Sequence, residues 1–224
     1  MITRSRTAFA LLAALMIVAR SASGFAAGNP ALNADILHIA LDWEHIKFEV
    51  ENADEQERLM AMLADRATSI AQRYQNQPDA TIWVGIITSE QASMANENGS
   101  HIKALRLALK ARDILEQVEK IDPVTLDAGA PTSLGVLYYR VPGFPMGFGD
   151  KIKARHLLQE AVINAPNGMD ANSFYGDFLF QQKEYPEARK VLMHVLTLPA
   201  HPDRPIWDKE RRLVTQELLA KIPK

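Results

Sequence analysis

Four side chains able to ligate a metal follow one another along one helical face. His38, Asp42, His45 and Glu49 stand at intervals of four, three and four. Imidazole and carboxylate groups at that spacing can converge on one ion. The same residues lie opposite the apolar positions Ile36, Trp43 and Val50, so the wet side of an amphipathic helix accounts for them. They also lack the His-Glu-x-x-His order that joins two ligands to a general base. A nucleophilic set of Ser133, His156 and Asp150 can be written down, yet no nucleophile-elbow motif surrounds the serine. His156, His194 and His201 have no repeated partners. Gly143, Gly147 and Gly149 cluster at the wrong spacing for a phosphate loop, and no Gly-Lys-Ser/Thr follows them. The sequence predicts no catalytic residues, no metal site and no cofactor.

Composition narrows the field further. The chain has 224 residues, 47% of them hydrophobic, enough for one sizeable core. A net charge of −2 with interspersed signs argues against a nucleic-acid footprint. There is no cysteine, which removes disulfides, zinc–cysteine sites, iron–sulfur clusters, thiol catalysis and a lipoprotein anchor. Residues 1–26 read as an export signal. Arg4 and Arg6 precede the apolar run Ala8 to Ala19, and small residues follow from Ser21 to Ala27. That run is short for a membrane span, and Arg20 closes it. A retained anchor is the alternative. Cleavage after residue 26 removes three arginines and no acid, moving the charge from −2 to −5. The expected product is an exported protein, periplasmic in a Gram-negative bacterium, without membrane insertion after cleavage.

The elements that must position any site are helical throughout. Ile36, Ile39, Trp43, Ile46 and Val50 form one stripe on a helix from about Asn33 to Val50. Asn52 or Asp54 can cap the next helix, with Leu59, Met62, Leu63, Ala67, Ile70 and Ala71 inward. The run Ile82 to Ile87 suits a strand by its β-branched residues, but its flanks favour a helix. Asn96 to Ser100 is a break, and Ser100 is a candidate cap for a helix from His101 to Ile121. Pro131 opens a helix through Tyr139, and an aperiodic loop runs from Pro142 to Gly149. Asp150 caps a helix to Asn164. Helices follow over about Asp170–Gln182, Pro186–Leu198 and Ile206–Ile222. The fold class is all-α, with an N-terminal helical pair over 27–78 and a helical array over 79–224.

That array repeats. Ala154, Leu158 and Ala161 recur 34 residues later as Ala188, Leu192 and Val195, and Pro166 recurs one residue early as Pro199. Ala111, Leu115, Val118 and Pro123 show the same spacing 43 residues before Ala154, Leu158, Ala161 and Pro166. A large residue followed by glycine precedes each set: Val84-Gly85, Leu134-Gly135 and Tyr175-Gly176. Small residues let paired helices approach, and the larger neighbour fills the gap. These spacings resemble the tetratricopeptide repeat (TPR), with second-helix signatures near 111–123, 154–166 and 188–199. The stretch from Ser133 to Asp150 resembles a group of exported bacterial TPR proteins. The chain is more distantly similar to the T component of TRAP-type transporters. The resemblance implies an irregular TPR-like α-solenoid of helical hairpins.

In that family the first helices line a concave groove. The resemblance therefore implies a surface made by Thr132, Val136, Tyr139 and Arg140, then Ser173, Asp177, Phe180 and Gln181, extended by Trp207 and Arg211. Tyr139, Arg140, Asp177 and Arg211 give it an aromatic, mixed-charge character. Phe144 and Phe148 are candidates for a lid over the groove, or for a loop tucked onto the core. The expected function is a non-enzymatic adaptor that binds a protein segment in the groove. The alternative is a periplasmic transporter accessory holding a small molecule under the loop.

Overall fold

A computed structural model describes residues 29–223, so the expected export signal over 1–26 lies outside the described residues. Within them the chain forms nine helices: α1 (Pro30–Glu49), α2 (Ala53–Arg73), α3 (Pro78–Glu97), α4 (His101–Ile121), α5 (Thr125–Arg140), α6 (Lys151–Asn164), α7 (Met169–Gln181), α8 (Tyr185–Thr197) and α9 (Pro205–Lys221). The all-α class holds. The run Ile82 to Ile87 is helical within α3, with Ile82, Trp83, Val84 and Ile87 buried.

Local chemistry explains most starts. Asn29 accepts from the N–H groups of Ala31 and Leu32 at 3.2 Å each, and Pro30 takes the first helical position. That pair starts α1 three residues before the expected Asn33. Asn52 caps α2 through the Glu55 N–H at 2.9 Å, and Asp150 caps α6 through Ile152 and Lys153 at 2.9 and 3.0 Å. Ser100 makes no side-chain cap on α4. Helix α5 contains a kink: Leu126, Asp127 and Ala128 take φ values of 51°, 50° and 59°. Its regular part begins beyond them, which puts Pro131 in a first turn, where a missing N–H costs little.

Three hairpins share one contact. A Cβ placed on Gly85, Gly135 or Gly176 would fall 2.7, 2.6 or 2.5 Å from the side chain of Leu115, Leu158 or Leu192. Only hydrogen fits, so α3 lies directly on α4, α5 on α6 and α7 on α8. Those three leucines, with Ala111, Ala154 and Ala188, are fully buried. Each odd-numbered helix also packs on the next, and α9 packs on α1. The odd-numbered helices therefore complete a circuit.

The closure rests on Glu44 of α1, which is 0% exposed. Its Oε2 accepts from the Trp207 backbone N–H at 2.6 Å, and its Oε1 accepts from Arg204 Nε at 3.3 Å. Helix α9 has no cap from its own N-cap residue, Arg204, so a carboxylate from the far end of the chain supplies it. The Arg204 guanidinium lies 4.5, 5.6 and 5.8 Å from the ring centroids of Trp207, Trp83 and Trp43. All three tryptophans of the chain converge there.

Two stability measurements follow. Glycine to alanine inside a helix ordinarily gains up to about 1 kcal/mol, but the Cβ of Gly135→Ala must displace Leu158, and overpacking costs about 1–3 kcal/mol. Urea titration is expected to show a net loss, partly restored by adding Leu158→Val. An unchanged midpoint would mean that α5 and α6 part freely. Glu44→Ala leaves the Arg204 charge buried without its partner and is expected to cost about 3–5 kcal/mol. Glu44→Gln keeps an acceptor for the Trp207 N–H and should fall between the parent and Glu44→Ala in the same titration.

Candidate functional site

The circuit of odd-numbered helices surrounds a cavity of about 770 Å³. Trp43 and Lys47 of α1, Trp83, Ile86 and Glu90 of α3, and Val136, Leu137 and Arg140 of α5 form part of its wall. Asp170 and Phe174 of α7, Arg204 before α9, and Trp207 and Arg211 of α9 complete that side. The first half of α4, through Ile102, Leu105 and Ala108, supplies the rest. The lining is mainly apolar and aromatic, with a few fixed charges, and its volume suits a small organic molecule.

The charges are held in pairs. Arg140 Nη2 lies 3.1 Å from Asp177 Oδ2, and the Tyr139 hydroxyl donates to the same oxygen at 2.6 Å. Lys47 pairs with Glu90. Arg211 Nε is 2.7 Å from Asp170 Oδ1, and the Trp207 indole N–H donates to Asp170 Oδ2 at 3.2 Å. Phe174 lies between two guanidinium groups, with Arg211 4.5 Å and Arg140 5.7 Å from its centroid.

Environment moves several of these groups. Burial pushes the Tyr139 phenol far above its usual range, so it stays protonated and keeps donating. Burial also acts to lower Arg140, but Tyr139 and Asp177 outweigh it and hold the guanidinium above its ordinary value. Arg204 goes the other way. Burial lowers it despite the attraction of Asp170 and Glu44. Asp127 lines the cavity on the kink of α5, and desolvation pushes its carboxyl up; His201 opposes that rise and Asp170 adds to it.

The groove residues expected from the repeat phase fall in three places. Arg140, Trp207 and Arg211 line the cavity together. Tyr139 and Asp177 stand behind Arg140 and orient it, and Gln181 donates to Asp177 at 3.1 Å. Ser173 is buried. The loop divides as well. Pro142 and Met146 reach the cavity, Phe144 is 94% exposed, and Phe148 packs edge-on to Tyr138 at 5.4 Å with Arg112 over its ring. Of the polar sets weighed in the sequence, Asp42 pairs with Arg66 and His45 bonds Glu49 at 2.8 Å. Asp150 is spent as a cap, Ser133 lines the cavity and His156 is exposed. Among the described residues, no group of three or more His, Asp or Glu side chains is placed to hold a metal ion.

Sequence reasoning did not find Trp43, Trp83, Arg204, Asp127 or Asp170. Trp43 sits on an apolar stripe and Trp83 in an apolar run, patterns that signal core. Arg204 lies between helices, where no period marks it. No family model matches the chain, and no curated protein matches it either.

Asp127 generates a pH prediction. A carboxyl raised by folding contributes stability that is whole below its unfolded pKa and is lost as pH rises through the folded one. Asp127→Asn removes the charge, and asparagine accepts the left-handed backbone. Calorimetry is expected to show a higher Tm than the parent at mildly alkaline pH. The gain should shrink to nothing as pH falls below the ordinary carboxylate range.

Proposed function

We propose that the chain is an exported, non-enzymatic binding protein: a TPR-like array of helical hairpins that closes on itself and holds a small organic ligand in its centre. The cavity carries this reading, because every odd-numbered helix contributes to its wall and its lining mixes aromatic faces with a few anchored charges. The three Gly–Leu contacts support the TPR-like description, since they fall at the positions that relate the hairpins in sequence. Binding is favoured over catalysis because Arg140, Lys47 and Arg211 are committed to Asp177, Glu90 and Asp170. Fixed pairs of that kind orient a ligand. Among the described residues no helix is long and apolar enough to cross a membrane.

The adaptor reading, a protein segment in an open groove, has weaker support. Tyr139, Ser173 and Trp207 are buried, and Asp177 is occupied by Arg140 and Tyr139. The distant likeness to TRAP T components is compatible with a small ligand in a transport accessory.

A neutral fluorophore tests the proposal. N-phenyl-1-naphthylamine is expected to bind the purified chain saturably, with its emission enhanced and blue-shifted. Ser133→Trp places a large ring in the cavity wall and should abolish that signal while leaving the far-UV spectrum unchanged. Absence of binding to the parent, or undiminished binding to Ser133→Trp, overturns the assignment.

A further inference from the structure

We propose that the end of this cavity beside Arg204 is a head-group site for the carboxylate of an amphipathic acid, whose apolar chain runs toward the mouth. The inference rests on the binding reading above and deepens it.

The observation is a cluster of donors without acceptors. Trp43 and Trp83 line the cavity and are 6% and 3% exposed. The indole nitrogens of both, and Nη2 of Arg204, are buried and meet no hydrogen-bond acceptor in the protein. They belong to one place: the two indole rings are 6.2 Å apart, and the Arg204 guanidinium lies within 5.8 Å of each centroid. Buried donors are seldom left unmet, and each costs about 1–3 kcal/mol when it is. Three in one cluster of rings point to a position for oxygen acceptors from outside the chain. Trp207 gives the contrast, because its ring lies against the same guanidinium while its indole N–H is met by Asp170.

The chemistry of the donors selects the head group. Indole N–H and guanidinium N–H can only donate. They offer nothing to an ammonium group, and a neutral hydroxyl oxygen accepts from them more weakly than a carboxylate does. Burial lowers the Arg204 guanidinium although Asp170 and Glu44 both attract it, and its Nη2 is still left without an acceptor. A single charge spread over two oxygens matches three donors better than a dianion does. Ile86, Leu105 and Leu137 give the wall apolar surface, and its Lys47–Glu90 and Arg140–Asp177 charges are already paired. Ile102 and Met146 line the cavity but remain 73% and 72% exposed, so they mark where it opens. A chain entering there carries its carboxylate inward.

The experiment displaces N-phenyl-1-naphthylamine from the full chain with decanoate, decanol or decyltrimethylammonium. Decanoate is expected to displace it about tenfold better than decanol, the worth of one charge-assisted hydrogen bond. Decyltrimethylammonium is expected to be the weakest. The double variant Trp43→Phe, Trp83→Phe keeps two rings and removes both unmet donors. It should lose most of the preference for decanoate over decanol, both read on the same variant so that any change in overall affinity cancels. A measurement on the parent alone guards against a variant that fails to fold: the preference should vanish when pH falls below the acid's own pKa. Equal displacement by decanoate and decanol, with the fluorophore bound, overturns the head-group site and leaves the binding reading standing. So does a preference that survives the double variant or acidification. Failure of the parent to bind the fluorophore overturns both.

Discussion

Glu44 caps a helix that lies more than 160 residues away along the chain. Helix α9 begins with orphan backbone N–H groups and no side chain of its own to meet them. A carboxylate on α1 fills that role and sets a charge against Arg204. Taking both ions out of water is costly, and a bare pair would barely recover that cost. Here the guanidinium also faces three indole rings, and the carboxylate also receives a backbone N–H. The geometry works only when α1, α3 and α9 meet at one point. The cavity depends on that meeting, since without it the odd-numbered helices would line an open groove.

The hairpins supply the rest of the curvature. Gly85, Gly135 and Gly176 each admit a leucine from the partner helix, which fixes how closely the two axes lie. The repeats are uneven. The loop after α5 is tied down by Phe148 on Tyr138, while Lys153 donates to the Tyr138 hydroxyl at 2.6 Å and to Glu116 at 3.1 Å. That network holds the loop beside α4 and α6 and leaves Met146 at the cavity. An insertion in the middle hairpin thus becomes part of the mouth without disturbing the helix pair beneath it.

Local and periodic signals were legible in the sequence. The Gly–Leu pairings, the caps at Asn52 and Asp150, and the helical state of the Ile82 run all follow from short-range pattern. The Asn29–Pro30 start of α1 was equally local, a capping residue followed by a proline. Arg140, Trp207 and Arg211 could be placed on one surface because repeat phase fixes which side of a helix faces inward. The closure could not be read. Nothing in the neighbourhood of Glu44 distinguishes a buried carboxylate from a solvated one, and its partners come from the other end of the chain. Trp43 and Trp83 were hidden for a related reason. Burial in a core and burial against a cavity leave the same apolar period, and only the unmet indole N–H separates them.

Several departures from ordinary folding rules lie around the cavity. Leu126, Asp127 and Ala128 hold three successive left-handed conformations, each worth about 1–2 kcal/mol for a residue with a side chain. Leu126 and Asp127 line the cavity, and Asp127 carries a carboxyl that the folded state disfavours in its charged form. Arg204 and the two indole donors lie on the same cavity. The hairpin contacts at Gly85, Gly135 and Gly176, by contrast, are closely packed. The strained backbone gives Asp127 its place in the wall, and the closure brings Arg204 to Trp43 and Trp83, so the features behind the binding proposal depend on contacts between distant parts of the chain.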